Sequence, residues 1–368
     1  MYEFSMPLPR NINSIQEILK INKTYSEGQI KTFFFALPSN APDRSTFEQI
    51  RLHDKNITCF ENIENIIKES MDYGFKFIYL LNSVLGFSGQ KDIYNNQISS
   101  LNRFLEKMLK AGCYNLRITN LELIDYIQQK YPEFNIYLST STEYTQLQQF
   151  QSVARYFPKI KEFIPSYEVN KDFHLLKNLG KNFPNIDIEL ICDEGCIPGC
   201  PLRIQHPIKK TILKTNPKEA MEIFDNISPL YGECYIYSDN NFYEYLCKLK
   251  VIYPWEIKEY GKIGVHKFKF VGRGVPFEQA QIKFYKYYLQ GIEDPKSLDN
   301  LNINIFILRY RYSKTFHDSI DYKIKDIRKM LPDIKYFVNN GKDCHYKCGI
   351  DCRYCFNQAE KIRKFYSK

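Results

Sequence analysis

Short runs of apolar, aromatic and β-branched residues recur along this chain, separated by stretches whose apolar residues repeat at helical spacing. Thr32–Ala36, Lys76–Leu81, Asn115–Ile118, Phe134–Leu138, Glu162–Pro165, Asp187–Ile191, Leu249–Tyr253 and His266–Val271 read as strands. Ile98–Ala111, Leu121–Lys130 and Phe277–Gln290 read as amphipathic helices between or after them. Strands that alternate with helices predict a parallel sheet of the α/β class. Eight such units in about 250 residues predict a closed (β/α)8 TIM-like barrel. The alternative is an open doubly wound sheet, but no glycine-rich dinucleotide fingerprint follows Thr32–Ala36. The domain division that follows is an N-terminal segment at 1–29, a barrel at 30–290 and a C-terminal extension at 291–368. In the extension, Gly291–Asp299 reads as a polar connector, Asp321–Leu331 as a basic amphipathic helix and Gly341–Cys355 as a cysteine-dense knuckle.

Side chains with chemical potential cluster just after the predicted strands: Asn82, Asn120, Ser139 and Thr140, Ser166, Cys196 and Cys200, and Arg273. The loops that follow the strands of such a barrel form its active-site face. Each of these residues is also an ordinary turn or cap former, so their joint placement carries the expectation.

The bulk composition narrows the class. A hydrophobic fraction of 44% is ample for a core, and the 29 Tyr and 27 Phe are spread through it. The net charge of +9 permits an anionic partner: an RNA, an acidic peptide, or a phosphorylated or carboxylated small molecule. Basic residues are interleaved with acidic ones, so no nucleic-acid arm stands out. Met1–Arg10 lacks the charged and apolar pattern of a secretory signal, and no stretch approaches the length of a membrane span. The expectation is a cytoplasmic protein with no membrane association. In that compartment 11 cysteines point to metal or redox chemistry rather than to a disulfide framework.

The cysteines fall into two constellations. The first is Cys192-Asp-Glu-Gly-Cys196-Ile-Pro-Gly-Cys200, followed by Arg203 and His206. Its glycines and proline predict a tight turn whose backbone N–H groups are accessible to cluster sulfurs. Cys192 ends a strand and is expected in the core. The second is Cys344-x3-Cys348-x3-Cys352-x2-Cys355, a dense thiolate set able to hold a metal. Four thiolates suit a structural zinc ion and an iron–sulfur cluster equally well. Arg203, Lys347 and Arg353 lie near enough in sequence to offset thiolate charge, while His206 and His345 are candidate ligands or hydrogen-bonding neighbours. Cys59, Cys113, Cys234 and Cys247 stand singly in apolar or helical context and read as packing residues.

Three segments resemble the collagenase-like peptidase family U32 and its relatives. Phe268-Lys-Phe-Val-Gly-Arg273, which precedes a helix bearing Tyr285, Tyr287 and Tyr288, is similar to the family's FKIEGR signature. Phe270 and Val271 depart from it, and Val271 replaces an acidic residue. Glu194-Gly-Cys196-x3-Cys200-Pro-x-Arg203-x2-His206 resembles the cysteine-bearing stretch of cluster-binding branches, and Phe77 to Pro165 follows the family's general order. The resemblance implies a TIM-like barrel and a cysteine-held 4Fe–4S cluster that supports oxygen-independent hydroxylation, with a collagenase-like peptidase as the other activity. It implies roles in catalysis for Lys269, Arg273, Asn82 and His206, and in cofactor binding for Arg203. Metal ligands are expected among Cys196, Cys200, Cys344, Cys348, Cys352 and Cys355. One set pairs Cys196 and Cys200 with Cys352 and Cys355, which requires the tail to fold back over the barrel; the other lies wholly within the tail. Substrates would be anionic small molecules, peptides or RNA, with a redox partner protein to supply electrons. Cys348-x3-Cys352-Arg-Tyr354-Cys355 also resembles the radical SAM triad, although that triad follows the first barrel strand in its own superfamily. A zinc-stapled, non-catalytic binding protein is the remaining alternative.

Overall fold

A computed structural model describes residues 1–9, 11–36, 57–82, 91–196, 198–200, 203, 242–271, 278–306, 323–340 and 351–366. Eight parallel strands close a barrel in chain order: β1 (Tyr2–Pro7), β2 (Gly28–Phe35), β3 (Lys76–Leu81), β4 (Asn115–Ile118), β5 (Asn135–Leu138), β6 (Ile160–Phe163), β7 (Asp187–Ile191) and β8 (Lys267–Lys269). The described helices that clothe it are α1 (Ile12–Thr24), α2 (Ile57–Met71), α3 (Lys91–Lys110), α4 (Leu121–Lys130), α5 (Leu147–Tyr156), α6 (Phe173–Asn182), α7 (Phe242–Lys248), α8 (Ile257–Gly261) and α9 (Glu278–Glu293). Beyond them come α10 (Ile324–Ile327), α11 (Ile334–Asn340) and α12 (Tyr354–Tyr366). The predicted (β/α)8 architecture is therefore the one the chain adopts.

Three expectations need correction. The barrel begins at Tyr2 rather than at residue 30, because β1 pairs with β2 on one side and β8 on the other. Its alternation of Tyr2, Phe4 and Met6 with Glu3 and Ser5 is a period-two pattern. Leu249–Tyr253, expected as a strand, forms none. Its apolar residues are buried, but side chains rather than a strand ladder take up its carbonyls. Asn170 Nδ2 donates to the Lys250 carbonyl at 2.8 Å and the Tyr288 hydroxyl to that of Ile252 at 2.6 Å. An apolar run alone does not distinguish a buried strand from buried coil. The helix expected over Asp321–Leu331 is also shorter, spanning Ile324–Ile327.

Helix starts are fixed locally. Asn11, Asn120 and Asp172 each accept a backbone N–H three residues on, at 2.9, 2.8 and 2.9 Å, capping α1, α4 and α6. The main core fills the layer between the sheet and the helices. Phe4, Phe268, Phe270, Phe284, Tyr285 and Tyr288 pack around the β1–β8 seam, with Phe4 and Phe270 stacked at 5.1 Å. The C-terminal extension adds Ile324, Ile327, Phe337, Ala359 and Ile362 to the same core, so the tail is packed onto the barrel.

Inside the barrel lies a charged layer. Arg117 on β4 is 1% exposed and reaches Glu162 on β6 at 2.5 Å and Glu189 on β7 at 2.8 Å. β4 is hydrogen-bonded to β3 and β5, so these contacts cross the lumen. Lys267 on β8 adds Asp187 at 2.6 Å and Glu162 at 3.6 Å, and the Lys269 ammonium lies 3.1 Å from the ring centroid of Phe34 on β2. Phe34, Ile78, Leu80 and Tyr137 form a separate apolar cluster. Burial and the neighbouring Glu189 push the Glu162 carboxyl up to about 7. Glu189 is held below the usual carboxylate range despite its burial, because Arg117 and Lys269 both face it.

Arg117→Ala would strand two carboxylates in the lumen and is expected to cost about 3–5 kcal/mol of stability, read from urea unfolding. The Glu162 shift is upward, so its stabilising contribution is complete below the ordinary value of 4.5 and is lost as pH rises through about 7. Glu162→Gln is therefore expected to flatten the dependence of unfolding free energy on pH across that window.

Candidate functional site

The cysteine turn after β7 sits at the C-terminal face of the barrel, fastened by loops from two other strands. Cys192 closes β7 and is fully buried in the core. Its N–H donates to the Lys269 carbonyl at 2.9 Å, and burial pushes its thiol well above the ordinary range. Its expected packing role is the one observed. Cys196 and Cys200 are half-buried, and Cys196 packs against the small cluster of Ile164, Tyr167 and Ile191, as does Val271. Gly199 has φ of 71°, a left-handed conformation that favours glycine, and its N–H donates to Glu168 Oε1 at 2.8 Å. The Cys196 N–H donates to Glu194 Oε1 at 3.1 Å, and the Tyr245 hydroxyl on α7 donates to the Gly195 carbonyl at 2.6 Å.

Arg203 ends this turn. Its guanidinium lies 3.8 Å from the Tyr167 ring centroid, its Nε donates to Glu143 Oε1 at 2.9 Å, and its terminal nitrogen is 3.8 Å from Glu194 Oε2. Burial alone would favour loss of its proton, but Glu194 and Glu143 outweigh it and hold the charge firmly. Glu143 also accepts from Ser166 Oγ at 2.7 Å through its other oxygen. These contacts occupy the guanidinium with carboxylates of this chain. Arg203 thus fastens the cysteine turn to the loops after β5 and β6.

Other expected residues divide between scaffold and site. Asn120 and Ser139 are caps, and the Thr140 hydroxyl donates to the Pro165 carbonyl at 3.0 Å. Asn82 is buried at the end of β3, and its Oδ1 meets no hydrogen-bond partner among the described residues. Lys269 points its ammonium into the lumen, over Phe34. His206, Arg273, His345, Lys347, Cys344 and Cys348 lie outside the described residues, as do Cys234 and the side chain of Cys59.

The tail cysteines approach the barrel through α7. Cys355, in the first turn of α12, lines a narrow pocket together with Cys247 of α7, Lys171, Lys250, Tyr253 and Glu256. The Lys171 ammonium and Glu256 Oε2 form a buried ion pair at 2.5 Å, and the Tyr253 N–H donates to the same oxygen at 2.9 Å. Burial pushes the Glu256 carboxyl up and the Lys171 ammonium down. Burial, followed by the proximity of Cys355, raises the Cys247 thiol. Cys247 therefore packs as expected and also shares a pocket with a tail cysteine, a proximity its solitary place in the sequence does not signal.

The half-buried thiols of Cys196, Cys200, Cys352 and Cys355 are of the right chemistry for a soft metal. Among the described residues no three His, Cys, Asp or Glu side chains gather as a metal shell. Cys196, Cys200, Cys352 and Cys355 thus do not close a four-thiolate set by themselves here. Sequence reasoning missed Glu143 and Glu168, and gave no role to Glu194 of the cysteine motif; all three hold the turn. Glu143 is the described non-glycine residue with positive φ, at 53°.

Comparison with known proteins bears out the family resemblance. Residues 44–190 match the profile of peptidase family U32. That range contains the stretch from Phe77 to Pro165 and stops short of the Cys196 and Phe268 segments. No curated protein matches the chain. Among solved structures, the U32 peptidase Mk0906 is similar at 10% identity and a TM-score of 0.45, over 74% of this chain and 94% of that one. A GH113 beta-1,4-mannanase is similar at 12% identity and a TM-score of 0.32, over 60% and 85%.

Native-state alkylation with peptide mapping checks the burial pattern. Cys196, Cys200 and Cys352 are expected to react well before Cys113, Cys192 and Cys247, whose buried thiols resist ionisation.

Proposed function

We propose that this chain, which carries the peptidase family U32 profile over residues 44–190 on a closed (β/α)8 barrel, is an iron–sulfur enzyme working at the C-terminal face of that barrel. One observation carries the reading. α7 grips the Cys196 turn through Tyr245 and also meets the tail through Cys247 and Cys355, so both cysteine constellations are anchored on one helix. Cys196 and Cys200 would supply two thiolates of a 4Fe–4S cluster and the tail knuckle the others. When bound, such a cluster supplies one-electron transfer or an open iron as Lewis acid.

The chain's own residues have separate tasks. Arg203, neutralised by Glu143 and Glu194, holds the turn and leaves anion recognition to other cations. Lys269 in the lumen and Arg273, four residues further along the chain, are the cations assigned to orienting an anionic substrate: a small molecule, a peptide or an RNA. The reaction class that fits is oxygen-independent hydroxylation, in which water supplies the oxygen and the two electrons and two protons released leave the substrate, the electrons passing to an oxidised redox partner protein. None of the described helices is long and apolar enough to cross a membrane.

Purification without oxygen, then visible absorption and analysis for iron, sulfide and zinc, tests the proposal. The expected result is a brown protein whose iron is lost on Cys196→Ala and on Cys352→Ala. Stoichiometric zinc in a colourless protein would contradict it. So would hydrolysis of collagen-derived peptides by iron-free protein that survives Cys352→Ala, which would establish the peptidase activity instead.

A further inference from the structure

Among the described residues of the turn that carries Cys196 and Cys200 there is no helix or strand, and three carboxylates from this chain hold it. Glu194 takes the Cys196 N–H, Glu168 takes the Gly199 N–H, and Glu143 takes Arg203. Glu143 differs from the other two. It follows the short helical turn Thr140–Thr142 after β5 and sits at φ of 53°. A left-handed conformation is unfavourable for a residue with a Cβ and is kept where the surroundings enforce it. Here both carboxylate oxygens are engaged, one by Ser166 Oγ at 2.7 Å and one by Arg203 Nε at 2.9 Å. Glu143 thereby joins the loops after β5 and β6 to the far end of the cysteine turn. Arg203 in turn lies over the ring of Tyr167, a member of the small cluster against which Cys196 packs. The Arg203 N–H donates back to the Cys200 carbonyl at 3.1 Å, so a displaced Arg203 also displaces Cys200.

We propose that Glu143 is a positioning residue which, through Arg203, fixes the spacing and orientation of Cys196 and Cys200 as a paired site for a thiophilic ligand. That the natural ligand is cluster iron rests on the function proposed above; the clamp itself does not. A second-sphere partner of this kind typically changes ligand affinity 10–100-fold when removed.

Phenylarsine oxide, a trivalent arsenical that bridges two neighbouring thiols, is a suitable probe because it reports the pair whatever metal the protein holds. It is titrated onto metal-free full-length chain, and protection of each cysteine from iodoacetamide is followed by peptide mapping. In the wild type Cys196 and Cys200 are expected to be protected together. Glu143→Gln keeps the size of the side chain and removes its charge. Glu143→Gly relieves the backbone strain and removes the carboxylate. Both are expected to raise the arsenical concentration needed for protection of Cys196 and Cys200 by about tenfold, with protection at Cys352 and Cys355 and the melting temperature unchanged. Unaltered protection in both variants overturns the proposal. So does an equal loss at Cys352 and Cys355, which would mark general loosening. A protein with this pattern but no iron after anaerobic purification keeps the clamp and loses the iron–sulfur reading. Iron-loaded protein whose Glu143→Gln variant is protected like wild type keeps the reading and loses the clamp.

Discussion

Arg117 occupies the middle of the barrel and bonds to carboxylates on two strands that are not its neighbours. A buried guanidinium between two buried carboxylates tolerates little displacement, because any loosened charge is left in a medium that solvates it poorly. β4, β6 and β7 are therefore tied across the lumen, while β1 seals the wall between β2 and β8. The loops after β5, β6 and β7 then meet at one face because their strands have no freedom to slide. The residues that fasten the cysteine turn, from Glu143 to Arg203, come from those three loops.

The second constraint is the return of the chain's C-terminal end. Ala359 and Ile362 are buried in the barrel's own core, so α12 is held by packing independently of any metal. Its first turn brings Cys355 beside Cys247, on the helix that also holds Gly195. The cysteine turn and the tail thus both contact the same helix, α7.

Much of this was legible from spacing. Seven of the eight barrel strands follow from short apolar runs, and α4 matches its predicted span residue for residue. β1 escaped because Ser5 and Glu3 break its apolar run, although its alternation with Tyr2, Phe4 and Met6 is the pattern of a strand with two unlike faces. Leu249–Tyr253 misleads for the opposite reason: its burial is real, but Asn170 and Tyr288 side chains take up two of its carbonyls where a strand ladder would. At the site, Cys192 was readable as core and the Cys196 turn as a glycine-shaped loop. The clamp was not readable, because Glu143, Glu168 and Arg203 belong to three loops and share no motif. Their only local trace is a polar Ser-Thr-Ser-Thr-Glu run directly after β5. Arg203 shows the same limit, since beside cysteines it suggests a cation for the cofactor, and only the carboxylates around it reveal a fastener.

The iron–sulfur proposal requires that thiolates of the turn after β7 hold iron. Anaerobic crystals measured on either side of the iron and zinc absorption edges decide this. Iron held as proposed gives an anomalous peak beside the Cys196 sulfur, within reach of the tail. A zinc peak confined to the tail knuckle, with none at Cys196, would contradict it.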